Sequence, residues 1–123
     1  MKKLKILYED KQLLILEKSS GELTISTPKE KVRTLYAEAS AYVKKQYPKN
    51  KVFIVNRLDR ETSGIVVFAK NEEIKRYLQA NWDTCAKQRE YIGVVEGMVK
   101  KDKETLQYFL EEDSYLKVHV SKK

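Results

Sequence analysis

Between two short apolar runs, Val52 to Val55 and Ile65 to Ala69, lies the polar segment Asn56-Arg57-Leu58-Asp59-Arg60-Glu61-Thr62-Ser63-Gly64. The carboxylate of Asp59 is bracketed in sequence by guanidinium groups at Arg57 and Arg60, an arrangement that favours the ionised acid even under partial desolvation. An ionised, oriented carboxylate can act as a nucleophile or as a base. Thr62, Ser63 and Gly64 offer hydroxyls and backbone N–H groups to fix the loop, and glycine at 64 permits a tight path with positive φ. The same residue types would serve a structural ion-pair loop, so residue chemistry alone leaves both readings open. With one histidine and one cysteine, neither a zinc site of the usual spacing nor an internal disulfide can be assembled, which favours chemistry without a metal.

The elements that must position this loop come from 123 residues, 41% hydrophobic and 35% charged, enough apolar material for one core and a single domain. No apolar run approaches the roughly 20 residues of a membrane-spanning helix. Met1-Lys2-Lys3-Leu4-Lys5 is not followed by the apolar stretch of a secretory signal, so a cytoplasmic location is expected. Lysine and arginine number 25 against 18 acidic residues, a net charge of +7 that favours polyanionic partners, nucleic acid first. A solvated lysine-rich surface would give the same balance.

Periodicity predicts an α+β domain: a mixed, mainly antiparallel sheet with two helices packed on it. Leu4, Ile6 and Tyr8 alternate with charged residues, Glu9-Asp10-Lys11-Gln12 supplies a turn, and Leu13 to Leu16 forms the return strand of a hairpin. Gly21 marks a further turn before Leu23 to Ile25. A helix then places Leu35, Tyr36, Ala39, Tyr42 and Val43 on one face and closes at Pro48. Its start is either near Pro28, where Thr27-Pro28-Lys29-Glu30 has a capping-box pattern, or at Thr34. The runs flanking the Asp59 loop read as two buried strands. Asn71 caps a second helix with Glu72 and Glu73 in its first turn and Ile74, Tyr77, Leu78 and Trp82 on its inner face. Tyr91 to Val95 reads as a strand ending at Gly97. Leu106, Tyr108 and Leu110, then Leu116, Val118 and Val120, alternate as antiparallel sheet with one wet face, which turns His119 toward solvent.

Arg57-Leu58-Asp59-Arg60-Glu61-Thr62-Ser63-Gly64, followed by Ile65-Val66-Val67-Phe68-Ala69-Lys70, resembles the signature loop and strand of the RluA-type RNA pseudouridine synthases. The flanks resemble the family in the same order. Tyr8-Glu9-Asp10 through Leu13 to Lys18 and Gly21 is similar to its opening hairpin with a lysine-containing turn, and Arg89-Glu90-Tyr91 through Val94 to Gly97 is similar to its tyrosine-bearing strand. The resemblance implies isomerisation of uridine to pseudouridine in structured RNA, with ribosomal RNA favoured over transfer RNA and no redox cofactor or metal. It implies that Asp59 is the essential nucleophile or catalytic carboxylate, beside a uridine taken out of its stack. Arg57 would fill the gap left by that nucleotide or hold the adjacent phosphate, and Tyr91 would pack on the target base. Arg60 and Thr62 would line the substrate loop, orienting it more than touching RNA.

Two departures qualify the resemblance. Asn56 stands where many relatives have histidine; an amide can hydrogen-bond the loop but cannot take up a proton near neutral pH. The later basic motif Gly-Arg-Thr-His-Gln-Ile-Arg, which supplies a cation to the carboxylate, is absent. The chain is therefore expected to be an incomplete catalytic domain, weakly active or inert alone, with a bare strand edge that invites self-association. A non-catalytic RNA-binding module and a fragment without function are the alternatives. Cys85, just past a helix, and Trp82, in a helix core, carry no expected role in chemistry.

Overall fold

The structure, a computed structural model, describes residues 3–28 and 33–122. Two compact units follow one another along the chain, Met1–Arg89 and Glu90–Lys123.

The first unit opens with the expected hairpin, β1 (Ile6–Glu9) and β2 (Leu13–Lys18). Asp10 closes its turn: one carboxylate oxygen accepts the N–H groups of Gln12 and Leu13, each at 2.7 Å. A bulge between Ile6 and Tyr8 shifts the register of β1, one of the sheet's two edge strands. Then come α1 (Leu35–Gln46), β3 (Phe53–Ile54), β4 (Gly64–Ala69), α2 (Glu72–Ala80) and α3 (Trp82–Cys85). The strands form one sheet in the order β1-β2-β4-β3, and every pair is antiparallel. Because β2 and β3 both run antiparallel to the strand between them, they are parallel to each other. The segments leaving their carboxyl ends therefore emerge at one end of the sheet, where Lys18 lies opposite Gly64.

One face of this sheet makes the core. Leu14 and Leu16 of β2 and Val66 and Phe68 of β4 point the same way and are sealed by Leu35, Ala39 and Val43, successive residues on one stripe of α1. Tyr36 and Tyr42 are only partly buried at the margin of that stripe. The helix starts at the later of its two candidate positions: Thr34 is the cap, its hydroxyl accepting the Ala37 N–H at 3.1 Å. Residues 29–32, part of the earlier candidate start, lie outside the described residues.

The two strands flanking the Asp59 loop are less buried than their apolar composition suggests. The first shrinks to Phe53–Ile54, and β4 alternates, with Val66 and Phe68 buried while Ile65 is 58% exposed. A helix covers one face, so the other keeps contact with water. The second helix is capped by Asn71, whose Oδ1 accepts the Ile74 N–H at 2.8 Å, but it stops at Ala80 and has no fully buried residue. Its expected inner face is thus a partly covered one. Ile74, Leu78 and Trp82 are half-buried, Tyr77 is 60% exposed, and Trp82 starts the short α3 instead of sitting in a core. Cys85 ends α3 and is exposed.

In the second unit, β5 (Phe109–Glu112) and β6 (Val118–Ser121) form an antiparallel hairpin. His119 faces Glu111 across it at 3.8 Å, its side chain 54% exposed as expected. Tyr91 to Val95, in contrast, form no strand, and β5 begins at Phe109 instead of Leu106. A strand exists only where a neighbouring backbone supplies its ladder, and no described residue pairs with 91–95. Among the described residues, no helix is long and apolar enough to cross a membrane.

A polar knot ties the end of β1 to α1 and to the residue after β4. Glu9 accepts hydrogen bonds from the Tyr42 hydroxyl at 2.8 Å, Gln46 at 3.4 Å and the Lys70 ammonium at 3.0 Å. Burial pushes the Glu9 carboxyl up, but the hydrogen bonds from Lys70, Tyr42 and Gln46 outweigh it and hold the group below its ordinary value. A carboxyl depressed in the folded state stabilises the fold above its unfolded pKa of about 4.3 and loses that contribution as pH falls through the folded value. Glu9→Gln is expected to cost about 1–3 kcal/mol at neutral pH. It should also flatten the acid decline below about pH 4.3, with the share due to Asp10, likewise held low by hydrogen bonds from Gln12, Tyr8 and Leu13, remaining. Urea unfolding of both proteins across acidic and neutral pH checks this.

Candidate active site

The loop that carries Asp59 is held by the segment that follows β2. Leu14, Leu16 and Lys18 occupy alternate positions of one strand, so Lys18 points to the core side and is completely buried. Its ammonium donates to the backbone carbonyls of Ser19 at 3.0 Å, Glu22 at 2.6 Å and Arg60 at 2.9 Å. Two of these belong to the turn around Gly21 and the third to the Asp59 loop, so a single cation joins the two segments.

The rest of the loop is tethered the same way. The Thr24 hydroxyl donates to the Leu58 carbonyl at 3.0 Å and accepts the Leu58 N–H at 3.3 Å, standing in for a strand neighbour. The Thr62 N–H donates to the Asp59 carbonyl at 3.1 Å, the Gly21 N–H to the Arg60 carbonyl at 2.8 Å, and the Ser20 hydroxyl to the Glu61 carbonyl at 2.8 Å. Each carbonyl from Leu58 to Glu61 thus has a donor. On the other flank the Asn56 amide extends the ladder of β4: its Oδ1 accepts the Val67 N–H at 2.7 Å and its Nδ2 donates to the Ile65 carbonyl at 3.4 Å. Asn56 is therefore a hydrogen-bonding brace. Gly64 has φ of +144°, the positive value expected from its place at the loop's end, and a side chain there would be strained.

Against this fixed backbone, Asp59 and Arg57 are exposed. Among the described residues, no ion pair joins the Asp59 carboxylate to Arg57 or Arg60, contrary to their closeness in sequence. The backbone explains this for Arg60: its carbonyl faces inward to Lys18, and its guanidinium Nε reaches the Gly21 carbonyl at 3.4 Å. Thr62 is half-buried and closes the turn through its N–H. Arg57, Asp59, Arg60 and Thr62 thus share one braced loop. Tyr91 belongs to the second unit, in irregular backbone and 69% exposed. The positioning roles of Lys18, Thr24 and Ser20 were not anticipated. The one sequence signal was Lys18 continuing the Leu14, Leu16 alternation.

An antiparallel sheet that presents an exposed carboxylate on a loop locked at its backbone defines the class of domain, and comparison with known proteins gives its family. A family model described as RNA pseudouridylate synthase matches residues 12–122. The chain is 32% identical over 96 residues to tRNA pseudouridine synthase C of Haemophilus ducreyi, covering 78% of this chain and 38% of that protein. It is 30% identical over 115 residues to ribosomal large subunit pseudouridine synthase D of Borreliella burgdorferi, covering 89% and 35%. Among solved structures, human RNA pseudouridylate synthase domain containing 4 shares the fold with a TM-score of 0.54 at 22% identity, covering 65% of this chain and 30% of that one. The chain belongs to the RNA pseudouridylate synthase family. It spans about a third of the length of these relatives.

Lys18→Met keeps the length of the side chain but removes the donor shared by the Ser19, Glu22 and Arg60 carbonyls. We expect a loss of about 2–4 kcal/mol of stability, the range for deleting one partner of a buried charged network. Faster amide hydrogen exchange at Gly21 and Thr62, whose N–H groups close the joint, should accompany it. Unfolding curves and exchange rates together check this; a destabilised protein with unchanged exchange at those two amides would contradict the clamp.

Proposed function

We propose that the chain is the N-terminal part of a pseudouridine synthase catalytic domain, isomerising uridine to pseudouridine in structured RNA. The reaction breaks the C1′–N1 glycosidic bond and joins C1′ to C5. The C5 hydrogen leaves to solvent and N1 takes up a proton, so the atoms balance without an external oxidant or reductant. The observation that carries this reading is an exposed carboxylate on a backbone whose every carbonyl from Leu58 to Glu61 is tied down.

In this reading Asp59 is the catalytic carboxylate at the ribose and base of an extruded uridine. Arg57, exposed two residues before it, holds the neighbouring phosphate or fills the vacated stack. Tyr91 stacks on the base, an interaction worth about 1–3 kcal/mol. Arg60 and Thr62 keep the loop in shape at the substrate's edge. The substrate is ribosomal RNA in preference to transfer RNA, a choice supported by two relatives named for the large ribosomal subunit and opposed by two named for tRNA. The cytoplasm is the compartment that fits such a substrate.

Release of tritium from RNA labelled at uridine C5 tests the reaction on ribosomal and transfer RNA separately. Wild-type chain is expected to release label, slowly in the absence of the family's basic motif, and Asp59→Asn to release none above background. Release that persists in the variant would remove Asp59 from the chemistry, and RNA binding without release by either protein would favour a non-catalytic module.

We also propose that the chain self-associates through its second unit. The β5–β6 hairpin has no third strand among the described residues, and Ile92, Val94 and Met98 are each more than 90% exposed. Light scattering is expected to give a mass that rises with concentration; a monodisperse monomer would exclude the association.

A further inference from the structure

The Asp59 loop occupies one end of the four-stranded sheet, and a cleft of about 460 Å³ occupies the other. Topology gathers its rim. Lys11 precedes β2, Lys49 and Lys51 precede β3, and Lys70 follows β4. Since β4 runs against β2 and β3, all four lysines reach the same end of the sheet, where the Lys70 N–H donates to the Gln12 carbonyl at 2.7 Å. Gly64 and Ala69, the two ends of β4, are five residue steps apart, which separates cleft and loop by about 17 Å.

The charges in the cleft do not cancel. Lys70 is paired with Glu9 at 3.0 Å, and the one carboxylate on the rim, Glu72, is paired with Arg76 at 2.8 Å. Lys11, Lys49 and Lys51 are exposed and have no ion-pair partner among the described residues. Three uncompensated ammonium groups thus border a concave surface beside the amino end of α2, whose partial positive charge is offset by Glu72 and Glu73 in its first turn.

We propose that this cleft binds the phosphodiester backbone of the RNA as a docking site separate from the Asp59 loop. The inference rests on RNA being the substrate, and it adds where a distant part of that RNA is held. Ammonium groups act on phosphates as point charges, and such contacts carry no sequence information. The aromatic ring in the cleft, Phe53, is already met by the Lys75 ammonium at 5.9 Å from its centroid, so recognition here is electrostatic and not base stacking. Binding at the cleft is therefore independent of RNA sequence and orients a structured RNA whose target uridine lies at the far end of the sheet.

The test compares two triple variants of the 123-residue chain with equal change in net charge. Lys11→Gln, Lys49→Gln and Lys51→Gln empty the cleft of its free charge, whereas Lys87→Gln, Lys117→Gln and Lys122→Gln remove exposed lysines elsewhere. Affinity for a fluorescein-labelled stem-loop RNA is measured by anisotropy across a salt titration, with circular dichroism verifying the fold of each variant. The cleft variant is expected to lower the slope of log affinity against log salt by about 0.7–0.9 for each phosphate no longer neutralised, and to weaken binding roughly tenfold more than the control. Equal weakening in the two variants would overturn the proposal. So would polyglutamate binding that requires the cleft lysines while RNA binding does not, an outcome that would assign the cleft to an acidic polypeptide. Failure of the isomerase reading registers differently: label release would be missing while the contrast between the variants persisted.

Discussion

The Lys18 ammonium, sealed from solvent, meets the carbonyl oxygens of Ser19, Glu22 and Arg60 at 3.0, 2.6 and 2.9 Å. Withdrawing a cation from water is costly, and it is tolerated only where dipoles replace the lost hydration. Here those dipoles come from two chain segments far apart in sequence, so the cost of burial is offset only when both are in place. Were the Asp59 loop to swing away, the ammonium would lose the Arg60 carbonyl. This makes the position of the loop a condition of the core, since the strand that places Lys18 also places Leu14 and Leu16.

Strand order supplies the second constraint. With β2 and β3 parallel on either side of β4, the turn after β2 and the loop after β3 leave the sheet at the same end and can hydrogen-bond side by side. Thr24 and Asn56 exploit this with side chains that imitate strand neighbours, one on Leu58 and one on Ile65 and Val67. The same order sends the lysines that precede β2 and β3 to the opposite end. The fold thus separates the anchored Asp59 loop from a cationic cleft without any long insertion.

Much of this was legible in the sequence where the determinants are local. The Asp10 turn, the Thr34 and Asn71 caps and the Leu35-Ala39-Val43 stripe each depend on residues within one or two turns of each other. The Asp59 loop could be found because its residue types are unusual between two apolar runs, and its glycine does adopt positive φ. What escaped depends on distant partners. A lysine reads as a surface residue because full burial of lysine is rare, and nothing near Lys18 in sequence reveals the Arg60 carbonyl that receives it. Tyr91 to Val95 carry the residues of a strand, but a strand also needs a paired neighbour, and none is present among the described residues. The arginines beside Asp59 show the converse. Closeness in sequence suggested an ion pair, whereas the path of the backbone turns the Arg60 guanidinium to Gly21.

That last difference bears on how such a loop can work. Had Asp59 been paired with Arg57 or Arg60, an incoming nucleoside would have had to break a charge-assisted hydrogen bond before meeting the carboxylate. Instead the framework holds the carbonyls from Leu58 to Glu61 and leaves the Asp59 side chain without an ion-pair partner among the described residues. Rigidity therefore lies in the backbone and availability in the side chain. In the role proposed for Asp59, pre-organisation of this kind lowers the cost of binding, because the loop's conformational entropy was already given up when the protein folded. The buried lysine, which touches the loop only at the Arg60 carbonyl, is what makes an exposed carboxylate a positioned one.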